Sequence, residues 1–513
     1  MTQFFTRCFA IVLLALAVPA TTGVPGFAAQ AAFSDVQQQI KSASSGKYKR
    51  FYKDRSYLPI WSRGGTIGPE AETFITILRS ADQDGLDPDD YSPDALANAV
   101  ADARAGRPKT IGKAELKLSK AFYAYVRDLR DPRRMNEDVI YVDKRLVPKR
   151  LAAADVLLPL AIAPSLPEYL DGMRWMSPFY VDLRTALAGY HKRWGSLPAV
   201  PIAPGPTLRV GIKDARVSHL RQRLGLAPGT RFDKAVVQRL KQFQADHGLR
   251  SSGVVDAETV IALNRGPGFY EAKMQLNLNR ARALPPASVR HLVVNLPQTR
   301  LWMIDGKLSY ADSMRVIVGA PDEKTPIMAG MVSYAILNPY WNVPTDLVQR
   351  RVAPKVLAGQ SFTSMRYEAL SDWTVNAAVI PPDQIDWKAV ADGSQQLRVR
   401  QLPGGNNFMG DVKFMLPNDL GIYLHDFPDK SLFRAAERHI SSGCVRLENA
   451  ERLGKWLYGK PLRPSSKEPE QFVTLPDPVP VYMAYLTVVP DNKGIAFLAD
   501  PYSRDDQQRY ARR

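Results

Sequence analysis

The chain changes hydrophobic rhythm three times. In its first third, apolar residues return every three or four positions: Ala71 to Leu78, Ala95 to Val100 and Leu116 to Val126. That spacing predicts amphipathic helices, with their aromatics packed between them. Gly85-Leu86-Asp87-Pro88-Asp89-Asp90-Tyr91 predicts a turn and a helix start. The helical rhythm resumes at Val217, Leu220 and Leu224, and again at Val236, Leu240 and Phe243 on a helix near Asp233 to His247. Thr259 to Leu263 completes a third short helix, and Tyr270 to Leu284 predicts another, ended by Pro285-Pro286. From Arg290 the rhythm becomes β-branched and alternating, in His291 to Leu296, Arg300 to Ile304, Leu308 to Val318 and Met331 to Leu337. Gly421 to Leu424 predicts a strand ending at His425, and Asn449 caps a helix from Ala450 to Tyr458 that Gly459 stops. Val479 to Val489 and Gly494 to Phe497 predict two last strands around an Asp491-Asn492-Lys493 turn, before a charged end expected to fray. Residues 350–400 fit strands poorly and predict a lid or insertion.

These rhythms predict a multidomain α+β protein. A polar, mobile lead-in of about 32 to 50 opens a helical unit over 32–196. Leu197 to Pro206 holds four prolines and predicts a stiff linker at 197–207. A compact three-helix unit follows at 208–266, then a helix returning to the first unit at 267–289. A β-rich domain covers 290–500, with its insertion at about 350–400, and 501–513 is a tail.

Composition narrows the setting. The 513 residues are 45% hydrophobic, enough for a core in each unit, and carry 68 Lys and Arg against 51 Asp and Glu, a net +17. That excess favours anionic surfaces, such as wall polymer or membrane. No nucleic-acid motif with interleaved aromatics accompanies it, so nucleic acid is not an expected partner. Residues 1–31 read as an export signal: Arg7, then an apolar run from Cys8 to Ala20, then Ala29-Gln30-Ala31 as a cleavage site. The run is shorter than a typical span of ~20 residues, so a membrane anchor is expected only if the segment is retained. Cys8 lacks the context of a lipidation site. Removal of the signal leaves Cys444 as the single cysteine. A solitary thiol in an oxidising compartment favours a catalytic use. The three-helix unit has no cysteine and too few histidines for a zinc site.

Cys444 sits in Ser441-Ser442-Gly443-Cys444-Val445-Arg446, and His425 lies 19 residues upstream in Tyr423-Leu424-His425-Asp426. A lone cysteine is often only a small buried hydrophobe. Here Gly443 permits close backbone approach, and Arg446 can fork onto a carboxylate. A thiolate nucleophile needs a proton acceptor, and spacing alone leaves both His425 and His439 open.

These two segments resemble the L,D-transpeptidases of bacterial cell walls, and their large periplasmic type in particular. Further motifs carry the likeness. Phe51-Tyr52 to Leu58-Pro59-Ile60-Trp61, with Gly85 to Tyr91, resembles the helical scaffold domain. Asp128-Leu129-Arg130-Asp131-Pro132-Arg133 falls where the family often has Gly-Arg. Phe243-Gln244, His247-Gly248-Leu249 and Gly253-Val254-Val255 resemble a peptidoglycan-binding-like domain, in core and turn positions more than binding ones, and Ser252 replaces its usual Asp. Gly319, Lys324-Thr325-Pro326 and Asn338 to Pro344 resemble the front of the catalytic domain, and the large members have a capping insertion after it.

The resemblance implies that Cys444 is the nucleophile and His425 its base, oriented by a backbone carbonyl just after it, leaving His439 structural. Tyr423 and the N–H groups around Gly443 and Cys444 would form the oxyanion pocket. Arg446 would hold a carboxylate of the wall peptide. Ser442 stands where the commoner form has His, a change found in the large subgroup, and would bond near the thiol or shape its turn. Trp341 would line the cleft or join the core, and Asn407 would touch substrate or serve a turn. The implied reaction cleaves a tetrapeptide stem, releases D-alanine and forms a 3→3 cross-link through a thioester, with no metal or organic cofactor and with carbapenems acylating the same cysteine. Water or a lipoprotein lysine as acceptor would make the enzyme a carboxypeptidase or an anchoring enzyme. A non-catalytic wall-binding scaffold is the reading from another class. Partners would be stem peptides and possible wall-synthesis proteins, in the periplasm.

Overall fold

The structure, a computed structural model, describes residues 34–131, 139–307, 310–491 and 494–505. The expected export signal, the Pro132-Arg133 pair, the middle of the last turn and most of the expected tail lie outside them.

The polar lead-in is not a loose segment. Its described part forms helices Asp35–Ala43 and Gly46–Asp54. Ser34 and Gln37 cap the first reciprocally, each side chain bonding the other's backbone N–H. Only Ile40 of that helix is buried, which is why its composition reads as polar. The helix lies on Gly112 of the long helix Pro108–Leu129, so close that a Cβ there would meet Gln39 at 2.8 Å. Helices Glu70–Arg79 and Pro93–Ala103 stand where the spacing predicts.

A buried carboxylate ties this helical unit together. Asp84 is 0% exposed and accepts from the Tyr125 hydroxyl (2.8 Å), the Tyr180 hydroxyl (2.7 Å) and Arg184 Nε (2.8 Å). The Arg282 guanidinium donates to its backbone carbonyl. One residue thus joins a turn, two helices and the returning chain, and its charge is paired as burial requires.

The three-helix unit consists of Arg216–Arg223, Lys234–Asp246 and Ala257–Ala281. The expected return helix is present. It follows the third helix directly, parted from it by a non-helical kink at Gly266, where φ is +73°, followed by Pro267. The proline-rich linker is fastened as well as stiff: Ile202 is buried, and Asn264 bonds both its N–H (2.7 Å) and its carbonyl (2.9 Å).

The β-rich domain closes on itself. Its pairing path runs Val412–Met415, Leu424–His425, Val445–Leu447, Tyr310–Gly319, Arg300–Asp305, Arg290–Asn295, Gln471–Ala484 and Met328–Leu337. Val412–Met415 also pairs with Met328–Leu337, which completes the circuit. Leu292, Val316, Val332 and Val481 fill its interior, all fully buried. One strand comes from far away: Ile140–Tyr141 pairs parallel with Met328 and Ala329. The short run Val139-Ile140-Tyr141-Val142 was its only mark in the sequence.

The insertion is broader than expected, and it does contain strands. Trp341–Val343, Arg398–Gln401, Tyr367–Leu370 and Val379–Ile380 form a four-stranded sheet of their own. Val343, Val352, Phe362 and Val399 give it a separate core. These strands are two to four residues long. Alternation over so few positions is too short to read. A single apolar cluster joins the helical unit, the three-helix unit and the outer face of the β domain, with Phe74, Leu240 and Val293 among its members. The Phe179 ring meets Trp302 and Tyr310 at 5.9 and 5.3 Å.

Replacing Asp84 with Ala strands two buried hydroxyls and leaves Arg184 with only its Ser80 contacts. We expect a loss of about 3–5 kcal/mol, measured as a fall in the urea midpoint, and a smaller fall for Asp84→Asn, which keeps an acceptor.

Candidate active site

The site follows from one strand register. Leu424–His425 runs parallel to Val445–Leu447, with Leu424 opposite Val445 and His425 opposite Arg446. The same register sets Tyr423 beside Cys444. Side chains alternate across a strand, so Tyr423, His425, Cys444 and Arg446 occupy one face. All four line a cleft of about 340 Å³ that also has Trp341 and Ser442 in its wall.

The turn before the nucleophile is held from within. The Ser441 hydroxyl donates to the Cys444 carbonyl (2.7 Å) and accepts the Gly443 N–H (3.2 Å). Thr325 Oγ1 donates to the Gly443 carbonyl (2.7 Å) and accepts the Gly319 N–H (2.8 Å). Gly443 has φ of +108°, a conformation that L side chains rarely adopt. Gly319 has no room for a Cβ, which would lie 2.2 Å from the Glu323 carbonyl.

The sulfur of Cys444 is half-buried and donates to the Gly421 carbonyl at 3.5 Å. It accepts from both the backbone N–H and the hydroxyl of Tyr423. Burial pushes the thiol above its ordinary range, against the pull of Tyr423 and Arg446. Burial, aided by Arg446 and Lys413, pushes His425 down to about 3. Both shifts favour the uncharged thiol and the uncharged imidazole. His425 is 2% exposed, and its Nδ1 lies 2.6 Å from the Asp426 carbonyl. A carbonyl only accepts, so Nδ1 carries the proton and Nε2 keeps its lone pair. The Phe408 carbonyl is a second acceptor near the ring. The Asp426 carboxylate turns away to Lys430. Arg446 lies over the Phe427 ring at 4.4 Å, and burial lowers it to about 10.

Two expected residues stand elsewhere. Asn407 does not reach the cleft: it is fully buried, donating to the Pro339, Gln401 and Leu402 carbonyls and accepting the Met409 N–H. Its side chain holds a turn, because that loop buries its own carbonyls. The Gly443 N–H is engaged by Ser441, so it is not free to face an oxyanion. His439 also points away, with Nε2 at the Leu296 carbonyl (3.0 Å) and Nδ1 at Glu437. Trp341 reaches the cleft wall, its ring 4.8 Å from Phe408. Ser442 bonds the Glu323 carboxylate and, with Arg350 and Arg351, lowers it from its ordinary range. Sequence reasoning missed Ser441, Glu323 and Thr325. Thr325 had stood only inside a recognised Lys-Thr-Pro motif, with no sign of its contact.

Residues 289–481 match the family described as the L,D-transpeptidase catalytic domain. The C-terminal domain belongs to that family. Residues 46–187 match the family described as a scaffold domain, and residues 218–263 the one described as "Putative peptidoglycan binding domain". A Haemophilus influenzae protein named "Putative L,D-transpeptidase" is 31% identical over 243 residues, 46% of this chain and 48% of its own length. The chain thus spans about half of that relative. A fused Zn-dependent amidase/peptidase/peptidoglycan-binding protein from Clostridium acetobutylicum is 11% identical over 55% of this chain and 100% of its own, at a TM-score of 0.16, which carries no argument. Among the described residues, no helix of the chain is long and apolar enough to cross a membrane, and no cluster of His, Cys, Asp and Glu could hold a metal.

A neutral resting thiol has a kinetic signature. Alkylation of Cys444 by iodoacetamide is expected to quicken about tenfold per pH unit from about pH 6 to pH 8, following thiol ionisation. A flat rate across that window would mean a thiolate–imidazolium pair.

Proposed function

We propose that the chain is a peptidoglycan L,D-transpeptidase that makes 3→3 cross-links. The observation that carries the reading is the strand register that gathers Tyr423, His425, Cys444 and Arg446 in one cleft. The proposed mechanism moves one proton out and back. As Cys444 Sγ attacks the carbonyl of the third stem residue, His425 Nε2 takes the thiol proton. The oxygen of the tetrahedral intermediate accepts from the Cys444 N–H and the Tyr423 hydroxyl, replacing the Gly443 N–H in that role. The C–N bond to D-alanine breaks as the imidazolium protonates the leaving amine. A thioester remains. The side-chain amine of a second stem attacks it, gives its proton to His425, and the thiol is restored. Arg446 holds a donor carboxylate meanwhile.

Neutral ground-state partners suit this scheme, because charge develops only in the transition state, where fixed donors stabilise it most. The small domain at 208–266 would keep the enzyme on wall polymer, in line with its family description and the chain's basic charge. The protein is taken to work in the periplasm after export, with carbapenems able to acylate Cys444.

Intact mass of the purified protein after incubation with a wall tetrapeptide tests this. We expect a thioester adduct and free D-alanine, none with Cys444→Ala, and acylation slowed by at least about a hundredfold in His425→Ala. Adding a second stem should yield a cross-linked dimer. Hydrolysis alone would make the enzyme an L,D-carboxypeptidase, transfer to a lipoprotein lysine an anchoring enzyme, and no adduct on folded protein a wall-binding scaffold.

A further inference from the structure

The roof of the cleft carries charge that the mechanism above does not use. The insertion sends a continuous helical run, Thr345 to Leu357, over the site, with a π-turn at Val348–Val352. Leu347, Arg351 and Lys355 recur at every fourth position and all three line the cleft. Arg350, one position earlier, does not. It is tied down outside by Glu323 at 2.7 Å and Asp346 at 2.6 Å. Arg351 has only a longer contact with Glu323, at 3.4 Å. Lys355 and Arg446 have no ion-pair partner among the described residues. Three cations therefore wall the cleft, two from the roof and one from the floor, and no Asp or Glu lines it. Arg351 and Arg446 are near enough to repel, since Arg351 helps to push Arg446 down. Like charges gathered with only the longer Glu323 contact as counter-charge favour an anionic guest. One carboxylate paired with Arg446 leaves Arg351 and Lys355 as further cations of the same cleft.

We propose that the cleft reads two carboxylates of its donor peptide, one on Arg446 and a second on Arg351 and Lys355 of the cap. This rests on the transpeptidase reading and narrows its substrate class: the preferred donor keeps a free carboxylate on a side branch, and amidation of that group makes it a poor guest. The cap is then a selectivity element as well as a cover. Glu323 sets its height, because the same carboxylate holds Arg350 and Arg351 above and Ser442 below.

Calorimetry on full-length Cys444→Ala, which cannot acylate, separates recognition from chemistry. The probes are a wall tetrapeptide with every carboxylate free and the same peptide amidated at its side-branch carboxyls, with its C-terminal carboxylate kept. The free-acid peptide is expected to bind about tenfold tighter, the size of one charge-assisted contact. Adding Arg351→Gln or Lys355→Gln should remove most of that preference while leaving the amidated peptide within about twofold. Arg350→Gln, outside the cleft, should keep the preference and so guards against mere loosening of the cap. Equal binding of the two peptides by the parent overturns the proposal, as does equal weakening of both by the roof variants. Failure of the transpeptidase reading looks different: the wild type forms no thioester with the free-acid peptide, while Cys444→Ala still tells the two peptides apart.

Discussion

The pairing of Leu424–His425 with Val445–Leu447 is the constraint on which the site depends. It is only two residue pairs long, yet it fixes four side chains on one face. A slip of one residue would turn His425 or Cys444 to the opposite side. So short a ladder cannot hold its register alone. It is held because Val412–Met415 flanks one side, Tyr310–Gly319 the other, and the circuit of strands is closed. Ser441 and Thr325 then fix the turn that leads into the second strand. The chemistry sits on short elements, and the long strands around them supply the precision.

The same geometry explains why the thiol and imidazole rest uncharged. His425 is buried and Cys444 half-buried, and in both places a charge costs more than it does in solution. Tyr423 offsets part of that cost at the sulfur, and Arg446 adds to it at the histidine. The site is thus arranged for charge that appears during reaction more than for charge stored beforehand.

The order of elements was largely legible in the sequence. The helical spacing of Leu116 to Val126, the Asn449 cap and the change of rhythm at Arg290 each reappear as structure, because one buried face and one local bond decide them. Other features were hidden for physical reasons. The Asp35–Ala43 helix buries one side chain, too few for a pattern. The strands of the insertion are shorter than the window that alternation needs. For the site, Cys444 and His425 stood out by residue type and resemblance. Asn407 did not, because turn duty and ligand contact use the same residue; only its four bonds to the surrounding backbone place it. Thr325 acts through a contact 118 residues away, which no local reading can see.

The strand Ile140–Tyr141 has a consequence for what counts as a domain here. It fills the hydrogen-bonding edge of Met328–Leu337 that the rest of the β circuit leaves open at Met328 and Ala329. A fragment beginning at residue 289, where the catalytic family match starts, would present that edge bare, ready to pair with any passing strand. It would also uncover the apolar outer face that Phe179 now covers. The unit that similarity delimits and the unit that can stand alone in water therefore have different borders, and the second begins well before the first.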